Sequence, residues 1–130
     1  QTDVQLSKAI IAQFTAAGAM SRNGFGVRMV LTSWQVDLPT TTTGVVPVGC
    51  LVSTGGAGAQ VKVALHGIAD GTAKGDGTAI VAGDRLTLNE VGKWIKSLAT
   101  TDYIGGFALQ PTSADNATIP IIIMPMGRSS

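Results

Sequence analysis

The stretch "AIVAGDRLTLNEVGKWIKSL", residues 79–98, carries the clearest structural signals in this 130-residue chain. Apolar and polar residues alternate on both sides of "NEVGK", and the pair Gly83 and Asp84 stands before the alternation begins. A period of two is typical of strands, and Gly in the connection is typical of a hairpin. We predict a hairpin about residues 90–92 and a corner at Gly83 and Asp84 whose flanking strands pair. There the Asp84 carboxylate accepts hydrogen bonds from backbone N–H groups after Gly83.

Similar segments continue on both sides of this stretch. Strands are predicted for "CLVST", for "VKVALHGIADG" closing at Gly71, for "YIGGFALQ" and for "ATIPIIIMP", with further corners at Gly56 and Gly92. "VRMVLTSWQV", residues 27–36, alternates throughout and predicts one strand. Several short strands with Gly-bearing turns predict an all-β fold, a small β-sandwich or β-barrel-like domain.

The amino-terminal residues allow two interpretations. Ile10, Ile11 and Phe14 have helical spacing, but a helix here would expose Ala and Thr where solvated helices carry Glu and Lys. We therefore expect an extended arm over residues 1–8 and a strand near 9–15. The predicted organisation is an N-terminal arm and first strand in residues 1–20, followed by a single β domain in 21–130.

Composition excludes several classes of protein. Hydrophobic residues make up 45% of the chain, but with three Phe, two Trp and one Tyr the core must use small side chains. The net charge is +1 and the nine Lys and Arg are scattered, so nucleic acid is not an expected partner. No apolar stretch reaches the ~18 residues of a membrane span. The first twenty residues are a poor match to a signal peptide, so we expect a soluble, unexported protein with no membrane partner.

No catalytic constellation is recognisable. Cys50 is the only cysteine, which excludes an internal disulfide and a Cys-based zinc site, and a core position is expected for it. His66 is the only histidine and has no nucleophile motif near it in sequence, so a place at a strand edge is expected. We therefore expect that the protein is not an enzyme.

Cofactor and metal motifs do not match their patterns. "DGTAKGDG", residues 70–77, resembles a calcium loop, but Lys74 would stand at a ligand position and Val81 at the place of the bidentate acid. "GGAGAQ", residues 55–60, precedes a strand and not the helix that a phosphate or dinucleotide loop needs. We expect no cofactor and no metal.

The order of the motifs between residues 46 and 124 resembles that of the capsid cement, or head decoration, proteins of tailed bacteriophages. The matching segments are "PVGCLVSTGGAGAQVKVALHGIADG" and, after it, "AIVAGDRLTLNEVGKWIKSLATTDYIGGFALQPTSADNATIPIIIM". In that family an "A-G-D-x-L-T" turn, a "G-K" hairpin, an "I-G-x-A-L" strand and a "T-S-A-D" turn follow in this order. The amino-terminal third of the chain matches the family pattern less closely.

The resemblance implies a β-rich homotrimer, made in the host cytoplasm and placed on the outer capsid surface of a phage head at three-fold or quasi-three-fold positions. Its partners would be further copies of itself and the major capsid protein, whose neighbouring subunits it would clamp. Because chain termini order only when something holds them, we assign the capsid contact to the arm, with the loop 37–47 assisting. The arm residues are Gln1, Thr2, Asp3, Val4, Gln5, Leu6, Ser7 and Lys8.

Two other functions are compatible with the sequence. A β-sandwich carbohydrate-binding or fibre module on a virion surface would present aromatic rings, and Trp34 and Trp94 are the candidates, although core or subunit-contact positions are expected for both. A hydrolase using Cys50 or His66 is the third possibility.

Overall fold

The fold is all-β, as predicted. A computed structural model describes residues 9–20, 22–30, 35–39, 46–98 and 102–125, and within these ranges there is no helix, hence none that could cross a membrane. The nine strands are β1 (Ile10–Ala16), β2 (Gly26–Met29), β3 (Gln35–Asp37), β4 (Gly49–Leu51), β5 (Gln60–Ala73), β6 (Arg85–Leu88), β7 (Trp94–Lys96), β8 (Gly106–Ala108) and β9 (Ala117–Ile123).

The hydrogen-bonded sheet closes on itself twice, and both closures use β5. In the first ring the order is β1-β3-β2-β4-β5, with β5 returning to β1. In the second ring it is β5-β7-β6-β8-β9, with β9 returning to β5. The molecule is therefore a pair of small barrel-like rings that share one fourteen-residue strand.

The change of ring occurs in the middle of β5. Its first half pairs with β1, ending at Ile10 opposite His66, and its second half pairs with β9, beginning at Ile123 opposite Gly67. Gly67 has φ +105°, a conformation that glycine adopts at little cost. This residue lets one strand leave the first ring and enter the second.

Each ring encloses its own core. The first cluster consists of Phe14, Ala16, Met20, Val27, Val36, Leu51, Val61 and Val63. The second cluster consists of Cys50, Ala64, Ala69, Ala73, Ile80, Leu86, Leu88, Trp94, Ala108, Ile119, Ile121 and Ile123. Fully buried Trp94 donates its indole N–H to the Gly24 carbonyl oxygen at 3.1 Å, so the largest core side chain has its polar atom satisfied.

The hairpin predicted in residues 85–96 is confirmed. Strands β6 and β7 pair antiparallel, with Leu88 opposite Trp94. The side-chain oxygen of Asn89 accepts the N–H groups of Val91 at 3.1 Å and Lys93 at 2.9 Å. This side chain supplies the turn's hydrogen bonds, as Asn does in Asx turns. The strand expected near residues 9–15 is also present, as β1.

The single strand predicted for residues 27–36 is wrong. The segment forms two antiparallel strands, β2 and β3, in which Met29 lies opposite Val36. In one continuous strand these two residues would face opposite sides, because they are an odd number of positions apart. In the hairpin they face the same side, so both contribute to the first core.

Two of the predicted corners are also corrected. Gly71 lies inside β5, where a Cβ would collide with Ile121 and Trp94, so its small size serves packing and not a turn. Residues 79–82 do not pair with β6. Ile80 makes an isolated bridge to Thr112, while β6 pairs with β7 and β8. Burial of Ile80 in the second core turns this segment away from β6.

Candidate interaction surfaces

Asp84 is a structural corner. Its Oδ2 accepts the Val81 N–H at 2.8 Å and lies 3.7 Å from the ammonium of Lys96. The expected role as a backbone acceptor is thus confirmed, although the donor precedes Gly83 and does not follow it. Both contacts hold the turn between Ile80 and β6 in place.

Cys50 lies where the two rings meet. The side chain is fully buried, as expected, and its Sγ is 3.6 Å from the carbonyl oxygen of Asp70. Burial raises the pKa of the thiol to about 12, the negative charge of Asp70 adds to this, and a hydrogen bond with Trp94 opposes it. Because the thiolate is the reactive species, this thiol is chemically inert at neutral pH.

His66 is exposed and lies in β5 at the change of ring. It is paired through the ladder with Ile10, so it is not on the strand edge that we expected. Over the part of the chain that the structure describes, no three His, Cys, Asp or Glu side chains are close enough together to hold a metal ion.

The segment 70–77 has no calcium-loop arrangement. Asp70 and Thr72 belong to β5, and the Thr72 hydroxyl donates to the carbonyl oxygen of Asn23 at 3.0 Å. Lys74 forms an ion pair with Asp76 at 2.7 Å, and the hydrogen bond to that carboxylate raises the pKa of Lys74. The positively charged Lys74 side chain thus already pairs with the carboxylate of Asp76 in this loop.

A second ion pair joins two turns of the second ring. The ammonium of Lys93 lies 2.9 Å from Oδ1 of Asp115, and this hydrogen bond is the main reason that the pKa of Asp115 is lowered. The pair connects the β6–β7 turn with the turn before β9. The ion pair between Lys93 and Asp115 therefore holds these two turns of the second ring together.

A depression with apolar walls lies where the two rings join, and we call it the waist groove. It has a volume of about 520 Å³ and is lined by Ala9, Ile11, Asn23, Leu51, Val52, Ile68, Ala69 and Asp70. Its lining residue Ile11 is 51% exposed, and the preceding residue in β1, Ile10, is 64% exposed. On a regular strand two adjacent isoleucines face opposite sides, so at least one of them would be exposed; here the β1–β5 register shifts between them and both are exposed. The doublet is therefore a sequence signal for an exposed apolar side chain, and the predictions made from strand patterns did not include it.

Several other large apolar side chains are exposed. The most exposed is Leu98, at 73%, just after β7. The others are Val46, Val81, Val91, Leu109 and Met124. Contiguous apolar surface on a protein marks contact with another molecule, whereas isolated apolar residues do not. Within the described ranges, Ile11 is the one of these exposed apolar side chains that lines a concave surface of this size.

The residues assigned to capsid contact fall mostly outside the described ranges. Residues 1–8 lie outside them entirely, and of the loop 37–47 only 37–39 and 46–47 are described. Trp34 is also outside. Trp94, the other candidate for a carbohydrate platform, is a core residue, as expected. The division into residues 1–20 and 21–130 stays a prediction.

Neither a protein-family model nor a curated protein sequence matches this chain. The fold does have a counterpart among solved structures. It is similar to the crystal structure of the N base of head fiber gp8.5 in bacteriophage phi29, with a TM-score of 0.64 and 13% sequence identity. The likeness covers 90% of this chain and 95% of that chain. At this identity it establishes a shared fold, and the coverage extends that fold across both rings.

Proposed function

We propose that this chain is a structural protein of a bacteriophage virion, associated with the head. The observation that carries the proposal is the fold shared with the N base of a phage head fiber over 90% of the chain. The motif order in residues 46–124, which resembles head decoration proteins, is a separate indication of the same kind of particle. Sequence pattern and backbone fold are different properties, so their agreement supports the proposal more than either does alone.

Within this role we propose a cement, or decoration, protein that binds the outer surface of the head shell as a homotrimer and contacts the major capsid protein. The exposed apolar side chains and the waist groove supply surface that a partner would cover. Contacts repeated over many copies do not need to be individually strong, because linked binding events reinforce one another.

A fibre base is the second candidate. The observation that favours it is that the solved structure with a similar fold is the N base of a head fiber. In this role the protein would attach a projection to the head, and it would not need to cover every equivalent position of the shell. A carbohydrate platform receives less support, because Trp94 is fully buried.

We also propose that the protein performs no catalysis. The Cys50 thiol is buried and protonated at neutral pH. His66 is exposed on β5, and no Ser, Thr or Cys side chain in the described ranges is hydrogen-bonded to it. Cys50→Ala and His66→Ala should therefore both retain shell binding. Loss of binding in a variant that remains folded would contradict a purely structural role.

The deciding experiment is co-sedimentation of the purified protein with phage shells that lack it, together with its mass in solution. A cement protein should bind in numbers that match the three-fold and quasi-three-fold positions, whereas a fibre base should saturate at fewer sites. A solution mass of a monomer or dimer that persists on the shell would contradict the trimer. No sedimentation with any shell would contradict the proposal as a whole.

Deletion of residues 1–8 tests the proposed capsid contact. The truncated protein should fold and assemble as the full chain does but bind shells more weakly, because the arm makes the contact. Folding is checked by the unfolding transition and assembly by mass. Full occupancy of the shell by the truncated protein would show that the contact lies elsewhere.

A further inference from the structure

The chain contains three asparagines, and Asn23 is the one followed by glycine. In an Asn-Gly pair the glycine nitrogen can attack the asparagine side chain, because glycine has no Cβ to hinder the approach. The glycine nitrogen loses its proton to solvent and bonds to Cγ, while the side-chain nitrogen takes up a proton and leaves as ammonia. Water then opens the resulting succinimide to aspartate or isoaspartate. The sequence thus makes Asn23 the asparagine most prone to deamidation.

The fold requires glycine at position 24. Gly24 has φ +89°, and a Cβ there would lie 2.6 Å from the hydroxyl oxygen of Thr72 and 2.8 Å from its main-chain nitrogen. The Gly24 carbonyl oxygen accepts the Thr72 N–H at 2.9 Å and the Trp94 indole N–H at 3.1 Å. These contacts join the turn before β2 to the second ring, so the reactive pair lies at the contact between the rings.

The same turn protects the nitrogen that would attack. Gly24 is buried, and its N–H donates to the carbonyl oxygen of Leu51 at 2.7 Å. In a succinimide the new bond to Cγ takes the direction of the former N–H bond, because the ring nitrogen is planar. The Leu51 oxygen therefore occupies the place that Cγ of Asn23 needs.

The other end of this peptide group is held as well. The carbonyl oxygen of Asn23 accepts the Thr72 hydroxyl at 3.0 Å. This C=O and the Gly24 N–H belong to one planar unit, so turning the unit toward the Asn23 side chain breaks both hydrogen bonds. Asn23 itself is exposed and lines the waist groove. Water therefore reaches the side chain, and the main-chain contacts control the reaction.

We propose that Asn23 is a deamidation site closed by the contact between the two rings, and that it reacts only when the turn before β2 opens. Local opening costs the free energy of the contacts that it breaks, which here include the hydrogen bonds to Leu51 and Thr72. The isoaspartate product has a longer main chain before Gly24. Its carbonyl oxygen then no longer reaches the donors of Thr72 and Trp94, so the modification loosens the contact between the rings irreversibly.

The test is the rate of deamidation in the folded protein and in the free peptide SRNGFG, in the same buffer. The tryptic peptide of residues 23–28 reports the reaction by the mass gained when –NH2 is replaced by –OH. The folded protein should react more slowly by about tenfold or more, the factor for breaking two hydrogen bonds. The protein unfolded in urea should react as fast as the peptide. Equal rates in the folded protein and the peptide would overturn the proposal.

A matched pair of variants tests whether the control is local. Thr72→Val removes the hydroxyl donor to Asn23 and keeps a buried side chain of the same shape, so deamidation should be about fivefold faster, the factor for one hydrogen bond. Thr87→Val, at another buried threonine, on β6, is the control and should react as the unchanged protein does. Equal acceleration in both variants, or none in Thr72→Val, would contradict local closure.

The product provides a second measurement. Protein aged in urea and refolded yields an isoaspartate form, in which the NMR resonance of the Trp94 indole N–H should move from its native position, because its acceptor on Gly24 is displaced. Asn23→Asp carries the new charge without the longer main chain and should keep the native resonance. An unchanged resonance in the isoaspartate form would contradict the loosened contact. None of these measurements involves shells, so their failure is distinct from failure of the proposed function.

Discussion

The two rings share β5 but are built differently. In the second ring Trp94 and several Ile and Leu residues fill the core, and β5 and β9 pair over seven positions. In the first ring the core is mainly Val, with single Phe, Met, Leu and Ala residues, while its short strands match those of the second ring in length and β1 and β5 pair over six positions. Larger buried apolar side chains contribute more to stability, so we expect the second ring to be the more stable part.

Strand β4 shows how the first ring compensates. All three of its residues are buried, and the adjacent residues Cys50 and Leu51 belong to different cores. Successive side chains on a strand face opposite sides, so β4 is covered by the first core on one face and by the second core on the other. Because β4 has only three residues and therefore few hydrogen bonds, its packing against both cores is what holds it in place.

The largest expected effect is at Trp94. Trp94→Ala should lower the free energy of unfolding by about 4–5 kcal/mol, the upper part of the range for large-to-small core changes, because it empties the second core and removes the hydrogen bond to Gly24. The matched variant Phe14→Ala, in the first ring, should cost about 3 kcal/mol. Urea unfolding followed by circular dichroism measures both. Equal losses would contradict the unequal stability of the rings.

Gly49 tests whether β4 can move. In Gly49→Ala the new methyl group would collide with the carbonyl oxygen of Ala64 on β5, and backbone cannot rotate away as a side chain can. We expect a loss of about 2–3 kcal/mol, typical of overpacking. Gly56→Ala, which has open space around it, is the control and should leave the unfolding midpoint nearly unchanged. A loss below about 1 kcal/mol at Gly49, under the usual overpacking range, would mean that the first ring is deformable.

Cys50 reports on the contact between the rings through pH. Its pKa is about 12 in the folded state, above the value of about 8.5 in an unfolded chain, so the folded state retains the proton that the unfolded state loses. Stability should therefore be complete below about pH 8.5 and fall above it by up to about 1.4 kcal/mol per pH unit. Cys50→Ala should remove this component, seen as the difference between the two unfolding curves from about pH 8 to about pH 10. The same slope in both proteins would mean that the thiol is not buried.

The smallest effect is expected at the corner of the second ring. Asp84→Ala removes the acceptor of the Val81 N–H and should cost about 1 kcal/mol, the usual net value of a hydrogen bond. Asp76→Ala, which breaks an exposed ion pair, should change the melting temperature little. If the two variants were equally stable, the corner would contribute nothing to the second ring.

Sequence patterns were reliable where the interacting residues are close in the chain. The hairpin of residues 85–96 and the backbone acceptor Asp84 follow from local alternation and turn chemistry. The corner predicted at Gly71 was wrong because the sequence does not distinguish a glycine needed for a turn from a glycine needed to make room for a Trp side chain. The single strand predicted for 27–36 was wrong because alternation along the chain does not reveal that Met29 and Val36 pair with each other on two antiparallel strands.

The waist groove could not be derived from the sequence either. Its walls come from β1, β4 and β5 together with Asn23, which are brought together only when both rings have closed. The adjacent residues Ile10 and Ile11 are a sequence sign of exposed apolar surface that the strand predictions did not use, and they carry no information on its shape.

By itself the sequence determined the class of fold, the small size of the core side chains, the position of one hairpin and the single buried thiol, because each of these depends on composition or on residues a few positions apart. Only the tertiary structure decided that the sheet closes twice on β5, that Gly71 lies beneath Trp94 and that Ile68 and Asp70 face an open groove. These features depend on which strands pair across long separations, and that choice is made by the total burial of both cores and not by any local pattern.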